Sequence, residues 1–343
     1  VAVPSHPSIA VIHPSFTGVG GAEILALSQA KCLRELGYNV RVITGAFDPA
    51  RWSAEFEGLA VDVLGRRDWL DRFTGRETWI ARRAERLARL LPEVDVAVAH
   101  NYPMSRVLAD APGRSRKIWY CNEPYREIHL DAAHPTLSSR YHAGIDTGAS
   151  AEAQFVRYRR RQRALLPGIR HRYAIEREHD LKTVEKIDIL CANSGYAREL
   201  AMRSYGHRPC KVVYPIVRFP ERGAARAGLD RSELRILVHT RLVAEKNVDT
   251  ILRGFARFTS AGRYRARLHV VGEGPSRPSL EELARSLGLG TLTQFHGFVS
   301  RAELRQIYDL CEVFALLPVD EPFGMVFPEA AARGLLLVGP NHG

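Results

Sequence analysis

Short apolar runs bounded by turn residues alternate along the chain with longer stretches in which apolar side chains return every three to four positions. "SIAVIH" (8–13) reads as a strand, a glycine turn follows, "AEILALSQAKCLREL" has the spacing of an amphipathic helix, and "YNVRVIT" is strand-like again. Further strands are expected at "LAVDVL", "DVAVAH", "RKIWYC" and "IDILCAN". Short apolar strands separated by helical patterns argue for a parallel sheet with helices on both faces. The fold class is therefore α/β.

Residues 126–186 break this rhythm with a charged helical pattern that includes "RYRRRQR" (157–163) and a Pro167-Gly168 break. This excursion reads as a solvated helical insertion, although its arginines could also face lipid head groups or an anionic acceptor. Around "YPIVRFPERGAARAG" (214–228) prolines, glycines and charges accumulate without periodicity, the signature of a linker. A second α/β series follows, with strands at "LRILVHT", "ARLHVVG", "LTQFHG", "CEVFALL" and "LLLVGP". Its helices are expected at about 246–261, 276–287, 301–310 and 326–333. The expected domains are thus 1–216 and 217–343. "PNHG" follows directly on a strand, where such a sheet would continue into another loop and helix, so a further C-terminal segment is expected.

Composition narrows the function classes. A chain of 343 residues with 45% hydrophobic content exceeds one typical core, in keeping with two domains. No apolar run approaches the roughly 20 residues of a spanning helix, and Val1 to Pro7 does not resemble a signal peptide. Five scattered cysteines without metal-ligand spacing argue against a disulfide framework or a zinc site, and a cytoplasmic setting is expected. The net charge of +11 suits an anionic partner: nucleic acid, a membrane surface or a phosphorylated substrate. Only six of the 49 basic residues are lysine, which fits an arginine-biased genome equally well. No compact aromatic-and-basic motif points to nucleic acid.

Five loops carry candidate chemistry. In "HPSFTGVGGAE" (13–23) Gly18, Gly20 and Gly21 form a strand-to-helix turn suited to close ligand approach, but Glu23 stands where a dinucleotide fingerprint needs its third glycine. In "HTRLVAEKNVDTIL" Arg241 and Lys246 lie between a strand end and a helix start, a placement that suits a diphosphate or is ordinary surface charge. "VVGEGP" supplies Gly272 and Gly274 in a second strand-end turn, and "FHGFVSRAEL" supplies Gly297, Phe298 and Val299, which could line a base pocket. In "DEPFGMVFPEAAARG" (320–334) Pro328 is tolerable only near a helix start. Glu329 then falls in the first turn of that helix, with Phe323, Gly324 and Met325 in the loop before it and Glu321 eight positions ahead. Carboxylates accept from sugar hydroxyls, while acids at a helix start are also simple caps.

Taken in this order, the motifs resemble the retaining GT-B glycosyltransferases of the GT4 group, whose hallmark is an E-x7-E motif, here Glu321 to Glu329. The resemblance runs over nearly the whole chain, through "GVGGAE", "CANSGYARELAMRSYG", "TRLVAEKNVDTIL", "VVGEGP" and "FHGFVSRAEL". It implies two Rossmann-like domains facing across a cleft, a helical insertion in the first, and a nucleoside-diphosphate sugar bound by the second. It assigns Arg241 and Lys246 to the diphosphate, Glu321 to sugar hydroxyls and Glu329 to the ribose. The backbone of Phe323 to Met325 would approach the sugar and phosphates, and Gly20 and Gly21 would close over them. It implies neither cofactor nor metal, and the chain has no D-x-D motif.

One subset, which includes mannosyltransferases, carries a YCH-x-P-x-R pattern. "YCNEPYREIH" keeps Tyr120, Cys121, Pro124 and Arg126 but has Asn122 in place of the histidine, with His100 as a substitute contact or a structural residue. The reading is a metal-independent hexosyltransferase, mannosyl favoured, using a GDP- or UDP-linked donor. Its acceptor would be a glycan, lipid-linked or secondary-metabolite molecule, with an anionic membrane surface at the inner face of the plasma membrane as a further partner and no nucleic acid. A phosphorylase of the same fold and a non-catalytic membrane-peripheral binding protein are the alternatives, with a nicotinamide oxidoreductase more distant.

Overall fold

A computed structural model of the protein describes residues 6–65, 71–133, 135, 167–206, 208–217 and 232–341. Among the described residues, those up to 133 and from 167 to 216 form one compact unit, and residue 135 with those from 217 onward the other. The arginine run 157–163 and Arg218 lie outside the described residues.

The first unit is built on seven parallel strands: β1 (Ser8–His13), β2 (Asn39–Thr44), β3 (Ala60–Val63), β4 (Val96–His100), β5 (Arg116–Cys121), β6 (Ile189–Ala192) and β7 (Cys210–Val212). They are ordered β3-β2-β1-β4-β5-β6-β7. Its helices are α1 (Gly21–Glu35), α2 (Pro49–Trp52), α3 (Asp71–Leu90), α4 (Met104–Asp110), α5 (Leu130–Ala133), α6 (Pro167–Glu185) and α7 (Gly195–Ser204). Alternation along β1 explains the layers. Ile9 and Val11 pack with Ala26, Leu27 and Trp52 under α1 and α2, while Ala10 and Ile12 pack with Leu87, Met104 and Leu108 under α3 and α4. The strand order reverses between β1 and β4, so the loops leaving those two strands diverge. The three-residue β7 was not expected as a strand.

The second unit has five parallel strands, β8 (Glu233–His239), β9 (Arg265–Val271), β10 (Thr293–Gly297), β11 (Val313–Ala315) and β12 (Leu336–Val338), ordered β10-β9-β8-β11-β12. Helices α8 (Val248–Ser260), α9 (Arg277–Ser286), α10 (Arg301–Leu310) and α11 (Val326–Ala332) follow the expected positions closely. Val248, Ile251, Leu252 and Phe255 give α8 its buried stripe against Leu237, Leu268 and Val270. Ser300 and Glu303 close a capping box that starts α10. This sheet reverses direction between β8 and β11.

Candidate functional site

In the second unit, the loops that leave β8 and β11 meet at the reversal of strand order, where a doubly wound sheet opens a crevice. Arg241 is exposed on the first loop. Lys246 ends a short 3-10 turn, Ala244–Lys246, and Asn247 then adopts a left-handed conformation (φ 54°) to start α8. Across the crevice, Val319 N–H donates to Glu245 O (3.4 Å) and Asp320, fully buried, has φ 54°. These turns aim two side chains at each other: Lys246 Nζ donates to Glu321 Oε2 at 2.5 Å. The pair is about three-quarters buried on the lysine side and four-fifths on the carboxylate side.

Neighbouring strand ends brace this loop. Leu242 N–H donates to Glu273 O (2.9 Å), Ser276 N–H to Leu242 O (3.0 Å) and Gly272 N–H to Gly297 O (2.9 Å). A Cβ on Gly272 would lie 1.9 Å from Thr240 O, and one on Gly274 would lie 2.2 Å from Leu242 O. Glycine is required at both places because backbone passes backbone there. Val299 packs against the core, whereas Phe298 is 79% exposed. Phe323 and Met325 are half-buried, and Gly324 takes φ 70° and accepts from Phe327 N–H (2.9 Å). As expected from Pro328, α11 begins at Val326 with Glu329 in its first turn. Burial pushes the Glu329 carboxyl above its ordinary range, and Arg301 opposes that shift.

Gly20, Gly21, His100 and Asn122 belong to the first unit. Gly20 is the extended N-cap of α1 and Gly21 its first residue. His100 is completely buried, its Nε2 sits 2.9 Å from Gln29 Oε1, and its ring packs against those of His13 and Tyr120. Asn122, also buried, is the middle of a row of amides. Its Nδ2 donates to Asn101 Oδ1 (2.8 Å) and its Oδ1 accepts from Asn193 Nδ2 (3.3 Å). The three asparagines follow the ends of the adjacent strands β4, β5 and β6. Asn101 and Asn193 were missed, although "AHN", "YCN" and "CAN" repeat the same residue at three strand ends. Among the described residues no group of three or more His, Cys, Asp or Glu side chains could hold a metal ion, and no helix is long and apolar enough to cross a membrane.

The buried histidines carry a pH signature. Desolvation lowers His13 to about 4 and His100 to about 3, from an ordinary 6.5. The unfolded chain therefore binds more protons below pH 6.5, so stability is lost as pH falls from 6.5 toward those values. By pH 5 the expected loss is about 2 kcal/mol for each histidine. Denaturant titrations at pH 7 and pH 5 test this, and equal midpoints would refute it.

The architecture matches solved proteins over its whole length. Anabaena HepE, crystallised with UDP and glucose, superposes with a TM-score of 0.67 at 17% identity, over 98% of this chain and 82% of that one. The class defined by this fold is the GT-B glycosyltransferases. Residues 19–218 match the model for Glycosyltransferase Family 4 and residues 223–343 that for Glycosyl transferases group 1, and the chain belongs to this glycosyltransferase family. A glycosyltransferase of Methanocaldococcus jannaschii is 33% identical over 34% of this chain and 29% of its own length. The mouse alpha-1,3/1,6-mannosyltransferase is 32% identical over 41% of this chain and 35% of its own. The chain thus spans about a third of the length of these curated relatives.

Proposed function

We propose that the protein is a retaining, metal-independent hexosyltransferase that uses a nucleoside-diphosphate sugar. The observation that carries this reading is the 2.5 Å contact between Lys246 and Glu321 at the reversal of the second sheet. A group that binds a diphosphate and one that binds sugar hydroxyls must lie within a few ångströms of each other, because the anomeric carbon joins the two parts of the donor. Arg241 and Lys246 take the diphosphate, Glu321 the sugar and Glu329 the ribose. In the reaction the bond from the anomeric carbon to the diphosphate oxygen breaks and the acceptor hydroxyl attacks from the same face. The acceptor proton passes to a phosphate oxygen of the leaving group. Cationic side chains aimed at that developing charge supply the main stabilisation.

A mannosyl donor linked to GDP or UDP is the favoured substrate. Support comes from the "YCNEPYR" segment and from the mouse mannosyltransferase among the relatives. The acceptor is a glycan, lipid-linked or secondary-metabolite hydroxyl, and the setting is the cytoplasm or its membrane face. Thermal unfolding against a panel of nucleoside diphosphates and their sugars, in EDTA, tests the donor. A ligand at a hundred times its dissociation constant adds about 2.7 kcal/mol. A selective rise with GDP or UDP compounds is expected, and no rise with any member would sink the proposal.

A further inference from the structure

From Thr250 to Gly272 the sequence contains five arginines and neither aspartate nor glutamate. This stretch is most of α8, the turn after it and strand β9. Gly262, with φ 65°, ends the helix and returns the chain so that Tyr264 stacks in parallel on Phe258, with ring centroids 6.2 Å apart. Both rings are open to solvent, Phe258 by 37% and Tyr264 by 67%. Arg253 and Arg257 stand one helical turn apart, and Arg263 and Arg265 flank Tyr264; all four are exposed. Asp249, one turn before Arg253, is buried, and two carboxylates on adjoining segments are engaged elsewhere. Glu233, opposite Arg265 in the ladder, pairs with Arg235 and Arg267, and Glu312 pairs with Arg235. Among the described residues, Arg253, Arg257, Arg263 and Arg265 have no ionic partner.

We infer that this basic-aromatic face of the second unit docks on an anionic lipid surface. Four exposed guanidinium groups and two exposed rings in one continuous stretch match a plane of phosphate head groups above an acyl boundary. The charge holds the surface and the rings enter the interface. A nucleic-acid strand is the poorer fit, since the two rings already spend a face on each other and no groove tracks a backbone. The two rings, Arg263 and Arg265 lie at the amino edge of the sheet, where β9 begins, and Arg253 and Arg257 extend the patch along α8. The Lys246–Glu321 pair lies beyond the carboxyl edge, so a docked unit keeps that crevice directed away from the bilayer and open to a soluble donor.

Co-sedimentation with vesicles of phosphatidylcholine, with and without phosphatidylglycerol, tests the inference. The intact protein is expected to pellet only with phosphatidylglycerol and to be released by high salt. Each of Arg253→Ala, Arg257→Ala, Arg263→Ala and Arg265→Ala should weaken partitioning about fivefold. Phe258→Ser with Tyr264→Ser should weaken it further. All variants should keep the wild-type unfolding temperature and the nucleotide-induced rise, which separates lost docking from lost folding or lost donor binding. Three results overturn the inference: no binding of the wild type, equal binding to pure phosphatidylcholine, or undiminished binding of the fourfold arginine variant. Loss of binding on replacing Arg159, Arg160 and Arg161 with the fourfold variant unaffected would be the third of these, and would assign attachment to the arginine run.

Discussion

Replacing Lys246 by alanine is expected to lower the rate of sugar transfer, or of donor hydrolysis where no acceptor is supplied, by about a hundred- to a thousandfold. The size follows from the proposed role, since the lysine would act where charge develops on the leaving diphosphate. Stability should change little. The ion pair with Glu321 is partly solvated, and such pairs contribute about 0–1 kcal/mol. The same 2.5 Å contact predicts coupling. With Lys246 gone, Glu321 loses the group that orients it, so Glu321→Ala on the Lys246→Ala background should cost much less than Glu321→Ala alone. Lys246→Arg should not restore the wild-type rate, because a planar fork does not replace a compact ammonium beside that carboxylate. If Lys246→Ala kept its rate within about threefold while its melting temperature fell, the pair would be a structural clasp and the donor assignment would fail.

Much of this crevice was legible in the sequence because its residues sit in short loops tied to strongly apolar strands. Pro328 put the start of α11 at about Val326 to Pro328, which placed Glu329 in the first turn and left Glu321 on the loop from β11. Lys246 was found from its distance past "LRILVHT". That Lys246 and Glu321 touch was not readable, since they are 75 positions apart and their meeting depends on β11 lying beside β8.

Other features needed the neighbours that only folding supplies. Gly272 and Gly274 read as a strand-end turn, but the contacts that demand glycine there, the carbonyls of Thr240 and Leu242 on the adjoining loop, were not readable. His100, at a strand end, read as either a substitute contact or a structural residue. Gln29 on α1 and the rings of His13 and Tyr120 enclose it. The asparagine row needed three strand ends set side by side, an order that no local spacing contains.

The largest expected loss of stability comes from a buried cluster that sequence reading passed over. Asp180 on α6 accepts through Oδ2 from His129 Nε2 (2.8 Å) and from Tyr205 O–H (2.9 Å). The His129 and Asp180 side chains have no solvent exposure. The carboxylate thereby ties the segment after β5 to α6 and to the end of α7. Burial, with the negative Asp180 beside it, holds the Tyr205 hydroxyl well above its ordinary pKa, so it stays a donor. Asp180→Ala strands two buried donors and is expected to cost about 3–5 kcal/mol. Tyr205→Phe removes one donor together with its demand for a partner, and should cost only about 1 kcal/mol. His129→Ala combined with Asp180→Ala should cost less than the sum of the two single changes, since neither then leaves the other unpaired. All four tryptophans precede residue 217, and Trp119 packs edge-on against Tyr205, so tryptophan fluorescence in urea follows this unit directly. An Asp180→Ala protein within about 1 kcal/mol of wild type would show that water or repacking satisfies these groups, and the carboxylate would not be the anchor of the helical excursion.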